Sequence, residues 1–174
     1  MKFTGIATPD GIVHCLEGPF SGKDNDWTMY QGSRIERRLQ RIMSVPSRTR
    51  LFCFGDKAYL AMTTSIMAPF THPGGRAMLA PKHKQFNKLL AKYRITVEHA
   101  FGDVSRYWGF ATYGGRRLRS GQMAVAAFFK VAVLLNNCRC CLRGNLTSNR
   151  YKAENRPTLE EYLLLPEGYT LGVI

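Results

Sequence analysis

Two acidic residues stand where acids can do chemistry. Asp56 lies in Phe54-Gly55-Asp56-Lys57-Ala58-Tyr59, just after the continuous apolar run Leu51-Phe52-Cys53-Phe54. Such a run suits a strand buried on both faces, and open α/β sheets place their sites at the carboxyl ends of strands. The same position equally suits an acid that caps the next turn or pairs with Lys57. Glu98 lies in Arg94-Ile95-Thr96-Val97-Glu98-His99-Ala100-Phe101-Gly102. Helical spacing sets it beside the apolar face of Val97 and Phe101; the competing reading is an exposed glutamate paired with Arg94 one turn earlier. A further acid, Asp26, opens a helical stretch, where it reads as a helix N-cap.

Carboxylates from a strand end and a helix converge on one cation when those elements pack together. Magnesium takes oxygen ligands and completes its shell with water or phosphate. In-line phosphoryl chemistry on two ions needs another carboxylate beyond Asp56 and Glu98. Cys138-Arg139-Cys140-Cys141 has no second half at ligand spacing, which argues against a zinc site.

The elements that must carry these groups can be read from pattern. Residues 2–8 and 12–16 read as strands joined by the turn Pro9-Asp10-Gly11, in which proline presets φ and glycine accepts a left-handed position. Asp10 belongs to that turn and is no obvious replacement ligand. Gly18-Pro19-Phe20-Ser21-Gly22 reads as a loop. Residues 26–43 read as one helix with Ile35, Leu39 and Ile42 at helical spacing. Residues 67–81, rich in proline and glycine, read as a loop before a long helix over 84–108. A glycine- and arginine-rich connection over 109–119 leads to a helix over 121–142. The rest is polar, with a short helix over 158–164 that Pro157 could start.

Composition narrows the partners. Lys and Arg number 25 against 12 Asp and Glu, a net charge of +13. A polyanion relieves that self-repulsion, and nucleic acid is the commonest one. Arg34, Arg38 and Arg41 can form a stripe on one helix, and Lys82, Lys84, Lys88, Lys92, Arg116, Arg117 and Arg119 add charge. The competing reading for each is a solvated surface residue. The stretch 123–135 is interrupted by Lys130 and too short to span a bilayer, so no membrane partner is expected. Met1-Lys2-Phe3-Thr4-Gly5-Ile6 lacks the apolar core of a signal peptide. The 5 cysteines are odd in number and partly crowded together, which favours a reducing compartment over a disulfide framework.

The ordered set Gly55-Asp56-Lys57-Ala58-Tyr59, Pro69-Phe70, Phe86-Asn87 and Arg94 through Gly102 resembles the DDE domain of PIF/Harbinger transposases and the nucleases derived from them. Upstream, Thr8-Pro9-Asp10-Gly11-Ile12, Gly18-Pro19 and Gly22-Lys23-Asp24-Asn25-Asp26-Trp27 fit the same family. Downstream, so do Leu134-Leu135-Asn136-Asn137 and Pro157-Thr158-Leu159-Glu160-Glu161-Tyr162-Leu163. The resemblance covers nearly the whole chain and rests on the combination of motifs.

The resemblance implies an α/β fold of the ribonuclease-H-like kind, a mixed sheet flanked by helices, and cleavage of DNA in the nucleus with Mg²⁺ or Mn²⁺. By it, Asp56 matches the strand-end catalytic aspartate and Glu98 the catalytic glutamate. Asp26 matches a characteristic acid of the family's Gly-x-x-His-Asp segment, with Asn25 where histidine is usual. The family's first catalytic aspartate lies on a first strand upstream of the segment resembling Lys2-Phe3-Thr4. The resemblance therefore implies that this first strand is missing and that the chain is incomplete in catalysis. The alternative is a non-enzymatic DNA- or protein-binding remnant of a decayed or domesticated transposase. Residues 1–137 correspond to the partial endonuclease domain and 138–174 to a polar tail with a short helix. The family reads DNA ends through an upstream helical module or a separate DNA-binding partner protein. In its sheet the hairpin and the strand over 51–54 lie together with the first strand between them; without that strand the sheet would be split or open at an edge.

Overall fold

The computed structural model describes residues 1–43, 52–59, 65–72, 78–111, 124–153 and 155–164. The fold is a mixture of helices and small sheets. The chain divides into two compact units, Met1–Ile6 with Cys15–Ile95, and Ala7–His14 with Thr96–Ile174.

β1, Lys2–Ala7, pairs with β2, Val13–Phe20. The connecting turn is the expected one. Thr8 and Ile12 close it by a backbone bond of 3.0 Å, and the Asp10 carboxylate accepts from the Thr8 hydroxyl and from the Ile12 N–H. A connection this short returns the chain antiparallel. β2 runs on through Gly18-Pro19-Phe20, where the sequence suggests a loop. A two-stranded sheet is all edge, and at an edge the missing donor of proline breaks no ladder.

The helix expected over 26–43 is two helices, α1, Asp26–Gly32, and α2, Ile35–Met43. Gly32 weakens the helix at the junction. Ser33 then leaves helical geometry, with its N–H and its hydroxyl both donating to the Tyr30 carbonyl at 3.1 and 2.7 Å. Such side-chain competition for the backbone is why serine favours helix ends. Ile35 and Leu39 are buried as expected, but Ile42 is exposed.

β3, Cys53–Phe54, pairs in parallel with β4, Ile66–Met67, in the register Cys53 to Ile66 and Phe54 to Met67. Leu51, at the start of the expected strand, lies outside the described residues. The described strands thus form two separate pairs, and the hairpin and β3 do not share one sheet. No described strand lies between them to continue the ladder. They meet instead through side chains. Cys15, Tyr30, Ile35 and Leu39 form the buried centre of the first unit, with Ile6, Trp27, Cys53, Tyr59 and Ile66 packed on it. Each such aliphatic or aromatic burial contributes about 1.5–3 kcal/mol. Glu36 ties the layers together by accepting from the Tyr30 hydroxyl, from Gln40 at 2.8 Å and from the buried Ser65 hydroxyl at 3.0 Å.

α3, Pro81–Tyr107, starts three residues before the expected helix. Proline at the first helical position already has the required φ and lacks a donor that would be unpaired anyway. The first part of α3 belongs to the first unit and the remainder to the second.

α4, Val125–Arg143, dominates the second unit. It carries a buried link to the hairpin turn. The Asn137 side chain accepts from the Val13 N–H at 3.0 Å and donates to the Val13 carbonyl at 2.9 Å, as a neighbouring strand would. Its amide nitrogen also lies 2.8 Å from the Tyr162 hydroxyl. Gly11 lets the turn pack against Asn145 as well: its φ is +85°, and a Cβ there would lie 1.7 Å from the Asn145 amide nitrogen. α4 is long and apolar enough by composition to cross a membrane. Within the unit it buries one face that includes Val125, Ala132, Val133 and the hydrogen-bonded Asn137, while Val131, Leu134 and Leu142 are exposed.

Residues beyond 137 are more than a polar surface. Cys140 and Cys141 pack with Ile12, Leu159 and Tyr162. Burial pushes all three thiols of the Cys138, Cys140 and Cys141 cluster above their ordinary range, so they behave as small apolar groups. α5, Leu146–Tyr151, was not legible in the sequence; Asn145 caps it by accepting from the Ser148 N–H at 2.7 Å, and Ser148 returns the bond. α6, Leu159–Leu163, is the expected short helix, capped by Thr158 rather than started by Pro157.

Candidate metal and nucleic-acid site

Asp56 sits immediately beyond the end of β3, where its sequence context places it. The β3–β4 pairing is held by Cys53 N–H to the Ser65 carbonyl and Gly55 N–H to the Met67 carbonyl, both at 3.0 Å. Gly55 is buried against β4, and a Cβ on it would lie 2.5 Å from the Ile66 Cγ2. Only glycine lets the strand end so close to its neighbour before the chain turns. A single 3₁₀ turn comes next, Lys57–Tyr59, with the Tyr59 N–H donating to the Asp56 carbonyl at 3.0 Å.

Both oxygens of the Asp56 carboxylate are engaged. Oδ1 accepts from the Lys57 N–H at 2.6 Å, and Oδ2 lies 3.0 Å from Arg94 Nη1. The side chain is 47% exposed and Arg94 32% exposed. Sequence spacing suggests Arg94 only as a partner for Glu98; its pairing with Asp56 is a long-range contact with no local signal.

The motifs Pro69-Phe70 and Phe86-Asn87 act as a clamp that holds α3 in the first unit. The Asn87 side chain accepts from the Phe70 N–H and donates to the Phe70 carbonyl, both at 2.9 Å. Phe70 stacks on His83, ring centres 4.1 Å apart, and meets Phe86 edge-on at 5.0 Å. Phe54 on β3 packs against Tyr93 on α3 at 6.0 Å, next to Arg94 in sequence. These contacts position the helix whose Arg94 reaches Asp56.

Asp26 is the first residue of α1, and it is not the N-cap. That role belongs to Asn25, whose side chain accepts from the Thr28 N–H at 2.8 Å. Asp26 instead adds negative charge to the first turn, where the helix dipole favours it. Asp26 and Asp56 both act on one group, the Tyr59 hydroxyl. Burial pushes that phenol above its ordinary range; a hydrogen bond with Thr4 opposes the rise, and the charges of Asp26 and Asp56 add to it. Tyr59, seen in sequence only as part of a motif, is thus the side chain the two aspartates have in common.

Glu98 lies on α3 in the second unit and its residue is exposed, with Ala100 and Val104 forming the buried side of that helical segment. Asp56 and Asp26 belong to the first unit. Among the described residues no three His, Cys, Asp or Glu side chains gather as a ready metal cluster.

The basic residues divide in two. Arg38 is committed locally, 3.5 Å from Glu17 and 3.2 Å from the Cys15 sulfur, so it is not part of an open cationic stripe. Lys84, Lys88 and Lys92 lie exposed at successive turns of α3 and form a ridge. Arg116, Arg117 and Arg119 lie outside the described residues.

With this geometry, one comparison is decisive. The sequence model of the DDE superfamily endonuclease matches residues 1–137. The chain belongs to the DDE superfamily endonuclease family. Comparison with curated proteins and with solved structures gives no match. The DDE superfamily uses divalent metal ions and acts on DNA. The residues present suit that chemistry in kind. Asp56 and Asp26 offer the oxygen donors that Mg²⁺ and Mn²⁺ prefer, and the half-exposed Asp56 is open to a hydrated ion. A cation at Oδ2 has to take the place that Arg94 holds.

Proposed function

We propose that this DDE endonuclease chain is of the PIF/Harbinger type: the nuclease domain of a transposase or of a protein derived from one, with a ribonuclease-H-like ancestry, acting on DNA in the nucleus. Asp56 and Glu98 are its catalytic carboxylates, and Asp26 joins them as a metal ligand. The observation that carries this reading is Asp56 at the end of β3 within the stretch that matches the endonuclease family. A divalent cation at these acids would supply Lewis-acid stabilisation of the scissile phosphate. Asp56 would hold it by its carboxylate oxygens, and the lysines of α3 would hold the DNA backbone. The endonuclease domain ends near residue 137, and residues 138–174 form a C-terminal tail with a short helix.

The resemblance pairs the family's first catalytic aspartate with no residue of this sequence. In this reading a separate DNA-binding partner protein would read the DNA ends. The rival reading is a remnant that binds DNA or protein without cutting.

Nicking of supercoiled plasmid with Mg²⁺ or Mn²⁺ tests both. The chain alone should cleave little. Fused to an upstream family strand carrying the aspartate, it should gain metal-dependent nicking that Asp56→Asn and Glu98→Gln abolish. A fusion that stays inactive while its DNA binding falls steeply with salt supports the remnant. Robust cleavage by the unmodified chain, indifferent to both substitutions, refutes the assignment of the site.

A further inference from the structure

The same carboxylate oxygen that a metal would need is already bound to a cation of the protein's own. Arg94 Nη1 lies 3.0 Å from Asp56 Oδ2, and the other oxygen, Oδ1, is held by the Lys57 N–H at 2.6 Å. We infer that Arg94 is the resident counter-ion of the Asp56 site: it holds the carboxylate in place without metal, and a divalent cation binds only by displacing it. The inference rests on the reading of Asp56 as a metal ligand and adds to it a residue that sets how tightly the ion is held.

Three features argue that this pair is positioned. The Lys57 bond fixes the rotation of the carboxylate, so Oδ2 presents one defined direction to Arg94. The helix carrying Arg94 is anchored to the same unit by the double hydrogen bond of Asn87 to Phe70 and by Tyr93 on Phe54. A guanidinium also suits the role chemically. It is always charged, and its planar donors match a carboxylate, so Asp56 is never without a counter-ion in the absence of metal.

The consequence for metal binding comes from charge. A guanidinium and a divalent ion repel each other strongly at contact distance, so they cannot share Oδ2. Arg94 must turn away when the ion enters. Both partners are partly exposed, at 32% and 47%, so the arginine can leave into solvent. An exposed pair of this kind is a weak competitor. The result is a site that takes up metal at a lower affinity than its carboxylates would give alone, and that keeps the strand end ordered when metal is absent.

The test uses the full chain, ¹⁵N-labelled, with Mn²⁺ as the probe. The Lys57 amide, hydrogen-bonded to Asp56, is the reporter, because bound Mn²⁺ broadens it. In Arg94→Gln the Mn²⁺ concentration for half-broadening should fall about tenfold, through loss of both the competing pair and the repulsion. Arg94→Lys keeps the charge without the planar fork and should fall about threefold. Asp56→Asn should abolish the broadening in either background. Amide spectra recorded without metal confirm that each variant is folded. If Asp56→Asn abolishes broadening but Arg94→Gln leaves the midpoint unchanged or raises it, the inference about Arg94 is overturned and the metal reading stands. If Lys57 does not broaden, or broadens equally in Asp56→Asn, the metal reading falls and the inference with it.

Discussion

Asn137→Ala tests how the second unit is held together. Asn137 is 2% exposed, and its amide serves both the N–H and the carbonyl of Val13 as well as the Tyr162 hydroxyl. Truncation leaves two buried backbone groups of Val13 with no partner in place, and each unsatisfied group costs about 1–3 kcal/mol. Some of this is recovered if water enters, so a loss of about 3 kcal/mol is expected. With a urea dependence of about 2 kcal/mol/M, the midpoint of unfolding should fall by about 1.5 M. Trp27 lies in the first unit and Trp108 in the second, so Trp27→Phe leaves Trp108 fluorescence to report on the unit that contains Asn137. Amide exchange gives the local readout. The Val13 N–H should lose about a hundredfold protection, since each 1.4 kcal/mol is a factor of ten. Asn137→Asp should be worse than alanine despite its similar size, because it keeps the acceptor for Val13 N–H but sets a second oxygen against the Val13 carbonyl. If Asn137→Ala loses less than about 0.5 kcal/mol and the Val13 amide stays protected, the amide is not a structural link and the reasoning fails.

Two other expectations concern the strand end and the last helix. Gly55→Ala would place a Cβ 2.5 Å from Ile66 Cγ2 and should destabilise the first unit by about 1–3 kcal/mol through overpacking, read as a lower urea midpoint for Trp27 fluorescence; an unchanged midpoint would show that β3 and β4 part easily. The Glu161 carboxylate accepts from the Thr158 N–H at 2.8 Å and the Thr158 hydroxyl at 3.1 Å, and these bonds hold it below its ordinary 4.5. Its folded value is depressed, so its support of α6 is present above the ordinary value and is lost as pH falls through the lowered one. Amide shifts of α6 should track that titration and lose the acid-range change in Glu161→Gln; an identical titration in the variant would sink the capping argument.

The sequence by itself carried what depends on local chemistry. The Pro9-Asp10-Gly11 turn, the strand before Asp56, the long helix through Glu98 and the short helix after Thr158 all come from turn residues, apolar runs and capping patterns, whose physics lies within a few residues. The family, too, was legible, because its motifs recur in order along the chain. Local rules failed where the deciding partner was elsewhere. Gly18-Pro19 looks like a loop until the two-stranded sheet shows that this proline sits at an edge. Residues 26–43 look like one helix until Ser33 takes the Tyr30 carbonyl. Asp26 looks like a possible cap, but the backbone turns helical one residue earlier than that role requires, so the extended Asn25 holds the place.

Only the tertiary structure decided what the candidate residues touch. Arg94 lies one helical turn before Glu98, so sequence spacing offers only that pair, whereas α3 packed on β3 brings it to Asp56. Tyr59 comes under the charge of both Asp26 and Asp56 because α1 packs on the turn that follows β3. Asn137 reads as one polar residue in an apolar helix; its role exists only because the hairpin turn packs on α4 closely enough for the amide to serve both backbone groups of Val13. Ion pairs and buried hydrogen bonds between distant segments leave no periodic trace along a chain, since their energy depends on distance in space and not on separation in sequence.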